Sequence, residues 1–118
     1  MVRTRIGIIY GCFSAIAGAA LISTRYAACR RQFKTVKGSS EERKLLDYQT
    51  HMAVLGPHLA AQYIAMLTAH SLGEVIDKSD ALIAEKGSFE MLEILHHLSS
   101  GFKAYWTDYA YNALDEMR

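Results

Sequence analysis

The chain has a single proline, Pro57, two cysteines, Cys12 and Cys29, and no aspartate or glutamate in residues 1–40. Each shortage excludes something. One proline among 118 residues, with few clusters of turn-forming residues, argues against a many-stranded β architecture. Two cysteines cannot build a disulfide scaffold. They lie 17 residues apart in what reads as one helix, roughly 25 Å at about 1.5 Å per residue, out of reach of a bridge within it. A reducing compartment is therefore the easier setting. The length suits one domain, and 51% hydrophobic with 21% charged residues excludes disordered, collagenous and low-complexity classes. The missing acids matter most. Residues 1–40 carry seven basic residues (Arg3, Arg5, Arg25, Arg30, Arg31, Lys34, Lys37), so a formal net charge of +1 conceals +7 followed by −6.

Between Arg5 and Arg25 runs IGIIYGCFSAIAGAALIST, 19 uncharged residues that include Gly7-x-x-x-Gly11. Length and small-residue spacing would allow a membrane anchor through residues 6–24 of a non-enzymatic helical module, and an acid-free, Arg-bearing start matches a mitochondrial presequence. Three Gly, two Ser, one Thr and one Tyr make the run less apolar than most spans, and positive flanks on both sides give no orientation. A helix buried in a bundle, where small residues permit close packing, accounts for the same pattern, so a membrane is not the expected partner. No peroxisomal tripeptide stands at Glu116-Met117-Arg118.

Apolar periodicity predicts three long helices, over about 2–36, 41–76 and 88–118. The first has Ile6, Ile9, Phe13, Ile16, Ala20, Leu21 and Ala28 at helical steps. It should stop near Lys37-Gly38-Ser39-Ser40, where Ser39 and Glu42 form a capping-box pattern. The second places Leu45, Leu46, Met52, Leu55, Leu59, Tyr63, Met66 and Leu67 on one stripe, with a kink expected at Gly56-Pro57. Asp77 to Gly87 reads as a charged connection. Ser88 would cap the third helix, which turns Phe89, Leu92, Leu95, Leu98, Phe102, Tyr105, Trp106, Tyr109 and Leu114 inward. The expected fold is all-α: three long antiparallel helices of an incomplete up-down four-helix bundle. No C-cap glycine precedes Arg118, which suggests a longer chain.

Five histidines invite a metal reading. Glu93-x-x-His96 is half of a di-iron motif, but no second Glu-x-x-His occurs; His51 and His58 lack a third convergent ligand. No metal is expected. Neither cysteine has an obvious base, so nucleophilic catalysis has no support. The series Tyr105, Trp106, Tyr109, Tyr111 reads as core. More informative is RYAACRRQF, residues 25–33, where an Arg fork at Arg30, with Arg31 adding to its field, stands beside Phe33. Such a pair suits clamping a pyrophosphate while covering a flat ligand. The helix macrodipole also favours basic residues near a helix C-terminus. Nucleic acid is not expected, because the remaining helices are net acidic.

These residues carry a family resemblance. RYAACRRQF followed by Leu45-Leu46-Asp47-Tyr48-Gln49 resembles the RYxAxRRQF and LDYQ of the acyl-CoA oxidases. Met1-Val2-x-x-Arg5-Ile6-Gly7-Ile8 is similar to the opening of that family's first helix after its β-domain. The stretch from His96 to Ala104, HHLSSGFKA, resembles HxLSxGLKA, and Trp106 to Arg118 parallels the helix before a CGGxGY motif. The resemblance spans essentially all 118 residues. It implies an FAD-dependent peroxisomal enzyme that desaturates acyl-CoA and gives H2O2, in which Arg30, Phe33 and Gln49 contact the flavin dinucleotide of a neighbouring subunit of a homodimer. More weakly, it implies Arg5 near acyl-CoA. The family's β-domain precedes the matching segment, and its glycine motif and catalytic glutamate follow it. No glutamate here matches that base, no catalytic residue is nominated, and the chain is expected to be inactive alone.

Overall fold

In a computed structural model, which describes residues 1–34 and 40–118, the chain forms α1 (Val2–Cys29), a short 3-10 turn (Leu45–Asp47), α2 (Gln49–Lys86) and α3 (Glu90–Glu116). The order is up-down-up. Arg3 near the start of α1 pairs with Asp77 and Asp80 late in α2, whereas Ser23 near the end of α1 bonds the carbonyl of Met117 at the far end of α3. Helix α1 is central, packing against both others, while α2 and α3 touch each other less. Three helices on one axis give a rod of 76 × 19 × 17 Å with a radius of gyration of 20.1 Å, against about 13 Å for a compact domain of this length. The accessible surface is 7986 Å², where a compact monomer of this mass would expose roughly 6,400 Å². The all-α, incomplete-bundle expectation is met, and the open side shows as a groove of about 420 Å³ between α2 and α3, lined by Ile64, Leu67, Leu72, Val75, Leu98 and Phe102 among others.

The core corrects the expected stripes. On α1, Val2, Ile6, Ile9, Cys12, Ile16, Ala20 and Ala27 are buried, but Leu21 is half exposed. On α2 the buried face is Leu55, His58, Ala61, Ala65, Ala69, Leu72, Ile76 and Ser79. Leu45, Leu46 and Leu59 pack at its margin, while Met52, Tyr63, Met66 and Leu67 face outward. The reason is geometric: α2 carries two apolar stripes, and the one lined by alanine lets its backbone approach α1 closely, leaving the bulky one outside. The same holds on α3. Leu95, Ser99, Trp106, Ala110 and Ala113 are buried, whereas Phe89, Leu98, Phe102, Tyr105, Tyr111 and Leu114 are exposed. Gly7 and Gly11 also face outward, with nothing near the position a Cβ would take, so alanines rather than that glycine pair form the tight helix contacts.

The helix bounds differ from the expected 2–36, 41–76 and 88–118. Helix α1 stops at Cys29 because Arg30 turns extended and the next residue pairs across an isolated antiparallel bridge, Arg31 to Lys44. Helix α2 begins at Gln49, not 41, after a tight 3-10 turn, and Ser39 of the expected capping box lies outside the described residues. Past Ile76, α2 continues to Lys86: Asp77 and Asp80 bind Arg3, Ser79 faces the core, and the helix stops at Gly87, whose φ of +64° fits a left-handed C-cap. Pro57 lies inside the unbroken helix. Phe89, rather than Ser88, holds the N-cap position of α3, without a side-chain cap bond. Helices α1 and α2 are each long and apolar enough to cross a membrane by length and composition, but the most buried positions of α1 face α2 and α3.

Candidate dinucleotide-binding edge

At the far end of α1 the chain makes a narrow two-armed turn. The Leu45 N–H donates to the Arg30 carbonyl at 2.9 Å, the Gln32 N–H to the Arg43 carbonyl at 2.8 Å, and the Arg43 N–H to the Phe33 carbonyl at 3.0 Å. Phe33 adopts φ +61°, a left-handed conformation that costs a bulky side chain of order 1 kcal/mol or more, and its ring is 69% exposed. Two side chains brace the arms. The Tyr48 hydroxyl donates to the Gln32 carbonyl at 2.9 Å, and the Arg43 guanidinium lies 5.1 Å from the centroid of the Tyr48 ring while donating to the Asp47 carbonyl. Gln49 follows directly as the exposed first residue of α2.

These bonds bring the segment carrying Arg30 and Phe33 beside the one that leads into Gln49, and all three residues are exposed. Among the described residues, the Arg30 guanidinium has no hydrogen bond or ion pair. Arg31 is committed elsewhere, to the Glu41 carboxylate at 3.2 Å and the Glu42 carbonyl at 3.0 Å, so the cation beside Arg30 is braced structure rather than a second free charge. An arginine without a side-chain partner among the described residues, three positions before an exposed phenylalanine, has the residue chemistry to suit a phosphate joined to a flat heterocycle. That is the observation of fit for a flavin dinucleotide. Tyr48 and Arg43 are the residues that sequence reasoning passed over. Tyr48 stood inside the quoted LDYQ, whereas no pattern singled out Arg43.

Arg5 is not at this edge. It lies 25 residues before Arg30 on α1, about 37 Å along the helix. Its Nη1 donates to Ser100 Oγ at 2.7 Å and lies 3.3 Å from His96 Nε2, which must accept because a guanidinium only donates. Near the Arg30 end, a cleft of about 750 Å³ is lined by Ile22, Tyr26, His51, Val54, Leu114 and Glu116, among others. Behind it His58 is buried, its Nε2 3.0 Å from Glu116 and its Nδ1 3.0 Å from the Tyr109 hydroxyl. An ionised carboxylate can only accept, so against Glu116 the Nε2 position acts as donor. Burial, then Tyr105 and Glu116, push the Tyr109 phenol above its usual range. Burial likewise raises the Cys12 thiol, opposed by Lys103. Glu93 and His96 are exposed, and no group of three or more His, Cys, Asp or Glu converges among the described residues.

Three long helices on one axis, with an apolar groove exposed between α2 and α3, define an all-α helical module. The chain belongs to the acyl-CoA oxidase C-alpha1 domain family, whose model matches residues 1–118. It is 36% identical to the peroxisomal acyl-coenzyme A oxidase 2 of Rattus norvegicus over 92% of this chain and 16% of that protein. It is 34% identical to the peroxisomal acyl-coenzyme A oxidase 1 of Mus musculus over all of this chain and 18% of that one. Among solved structures, an acyl-CoA oxidase from Lycopersicon esculentum (tomato) superposes with a TM-score of 0.90 at 29% identity, over 99% of this chain and 18% of that chain. The chain therefore spans about a sixth of the length of these relatives.

Proposed function

We propose that this chain is the flavin-clasping helical segment of an FAD-dependent acyl-CoA oxidase acting in peroxisomal fatty acid β-oxidation, which desaturates acyl-CoA at the α,β position and returns electrons to O2 as H2O2. The observation that carries the reading is that Arg30 has no side-chain partner among the described residues and is followed three positions later by the exposed, left-handed Phe33. When bound, the flavin supplies the two-electron oxidation. The residues of this chain do something narrower. Arg30 offsets phosphate charge, Phe33 offers a flat apolar face, and the Gln49 amide both donates and accepts. Arg30, Phe33 and Gln49 are exposed, which supports their reaching a dinucleotide held by the neighbouring subunit of a homodimer. Arg5 serves acyl-CoA from the opposite end of α1, where its donors are oriented by Ser100 and His96.

No carboxylate of the chain is assigned as the base that removes the α-proton. Glu116 is held by His58, Glu74 by His70 and Glu41 by Arg31. Acyl-CoA-dependent peroxide formation by the purified 118-residue chain is accordingly not expected, and its detection would contradict the assignment. The reading itself is tested by FAD affinity, measured by flavin fluorescence on the unmodified chain and on Arg30→Ala. Weaker binding by the variant supports it; no FAD binding by the unmodified chain, or equal affinity in both, removes Arg30 from the site.

A further inference from the structure

We infer that Tyr48 is the positioning residue of this edge, holding Arg30 and Phe33 in the arrangement that a dinucleotide requires; this rests on the reading just proposed. Three observations converge on it. First, Phe33 holds a left-handed conformation unfavourable for a bulky residue, so something outside its own backbone preference must fix the turn. Second, the Tyr48 hydroxyl donates to the carbonyl of Gln32, the residue immediately before Phe33, at 2.9 Å, tying the start of α2 to the first arm of the turn. Third, the Tyr48 ring lies against the Arg43 guanidinium, and Arg43 is the residue whose backbone exchanges hydrogen bonds with Gln32 and Phe33. One side chain therefore grips both arms, one through its oxygen and the other through its ring. Tyr48 also sits immediately before Gln49, so the same grip fixes where the helix that carries Gln49 starts. Its hydroxyl is spent on a backbone carbonyl, which makes its role one of placement rather than ligand contact.

Two substitutions separate the parts of the grip. Tyr48→Phe keeps the ring on Arg43 and removes only the oxygen; Tyr48→Leu removes both. In the full 118-residue chain, amide hydrogen exchange at Gln32, Arg43 and Leu45 reports the turn directly, and FAD titration followed by amide chemical shifts reports the edge. The expectation is faster exchange at these three amides, by about fivefold in Tyr48→Phe, the scale of one hydrogen bond, and more in Tyr48→Leu. FAD affinity should fall in the same order, while exchange at Ile9 and Ile16 in the α1 core stays unchanged. Unchanged turn exchange and unchanged FAD affinity in Tyr48→Phe overturn the inference, as does loss of core protection in step with the turn, which would make Tyr48 a general stability residue. Arg30→Ala keeps the two questions apart: if it leaves FAD shifts unchanged the dinucleotide reading falls, whereas FAD loss in Arg30→Ala without any effect of Tyr48→Phe leaves that reading standing and removes Tyr48.

Discussion

The two ends of α1 use the same chemistry in opposite ways. At the first end, Arg3 and Arg5 are bound by other helices: Arg3 to Asp77 and Asp80 of α2, Arg5 to Ser100 and His96 of α3. At the far end, Arg31 is tied to Glu41 and Glu42, but the Arg30 side chain has no partner among the described residues, and Phe33 is exposed. An arginine near a helix C-terminus, such as Arg30, is cheap to keep in water. What distinguishes a structural arginine from a binding one is whether the fold has already supplied its acceptors. By that criterion the acid-free first third divides into arginines already bound by other helices and, on the proposed reading, one left to bind an anion.

The contrast can be broken by substitution. The largest effect is expected for Arg30→Ala, which should weaken FAD binding by tenfold or more, the scale of a charge-assisted phosphate contact, without moving the unfolding midpoint. A lowered midpoint would place Arg30 with the bound arginines instead. His58→Leu, at the same end but in the interior, should do the reverse. Leaving the Tyr109 hydroxyl and Glu116 without their shared partner should lower stability by about 1–3 kcal/mol, readable by urea unfolding, with FAD affinity preserved.

At the other end, Arg5→Ala should cost about 1 kcal/mol of stability, since a half-buried guanidinium loses a hydroxyl and an imidazole partner. Arg3→Ala should move the urea midpoint less than Arg5→Ala, and the Arg3→Ala shift itself should vanish in high salt, because both its carboxylate partners are solvated. The smallest expected effect is alkaline. The Tyr109 phenol is raised in the folded chain, so the folded state holds its proton more tightly than the unfolded state. That contribution is present below the usual tyrosine value of about 10 and is lost as pH rises through the folded value. Tyr109→Phe should flatten this decline in thermal unfolding above about pH 10.

The all-α class was legible because a near-absence of proline and long stretches of three- and four-residue periodicity leave few alternatives. Which stripe faces inward was not. On α2, hydropathy selects Tyr63, Met66 and Leu67, but close approach to α1 selects Ala61, Ala65 and Ala69. A periodicity argument weighs bulk, whereas interhelical distance rewards its absence. The end of α2 was hidden for a related reason. Asp77 and Asp80 look like a loop until Arg3, 74 and 77 residues away in sequence, is seen to bind them. Glycine at 87 was the readable stop signal. At the edge, Arg30 and Phe33 were named from residue chemistry and resemblance, Gln49 from resemblance alone, and all three are exposed. That Arg31 is engaged and Arg5 is tied to α3 required knowing which backbone carbonyls and side chains lie opposite, information that no local spacing holds.

The central claim is that the far end of α1 takes a dinucleotide, and it is tested most directly by comparing FAD with FMN on the same isotopically labelled chain. FMN carries the flavin and one phosphate but lacks the pyrophosphate and the adenosine. The account predicts that FAD shifts the amide signals of residues 30–33 and 48–49, that FMN shifts them much less, and that the signals around Arg3 and Arg5 stay still. Equal responses to FAD and FMN at residues 30–33, or no response there to either, would contradict it.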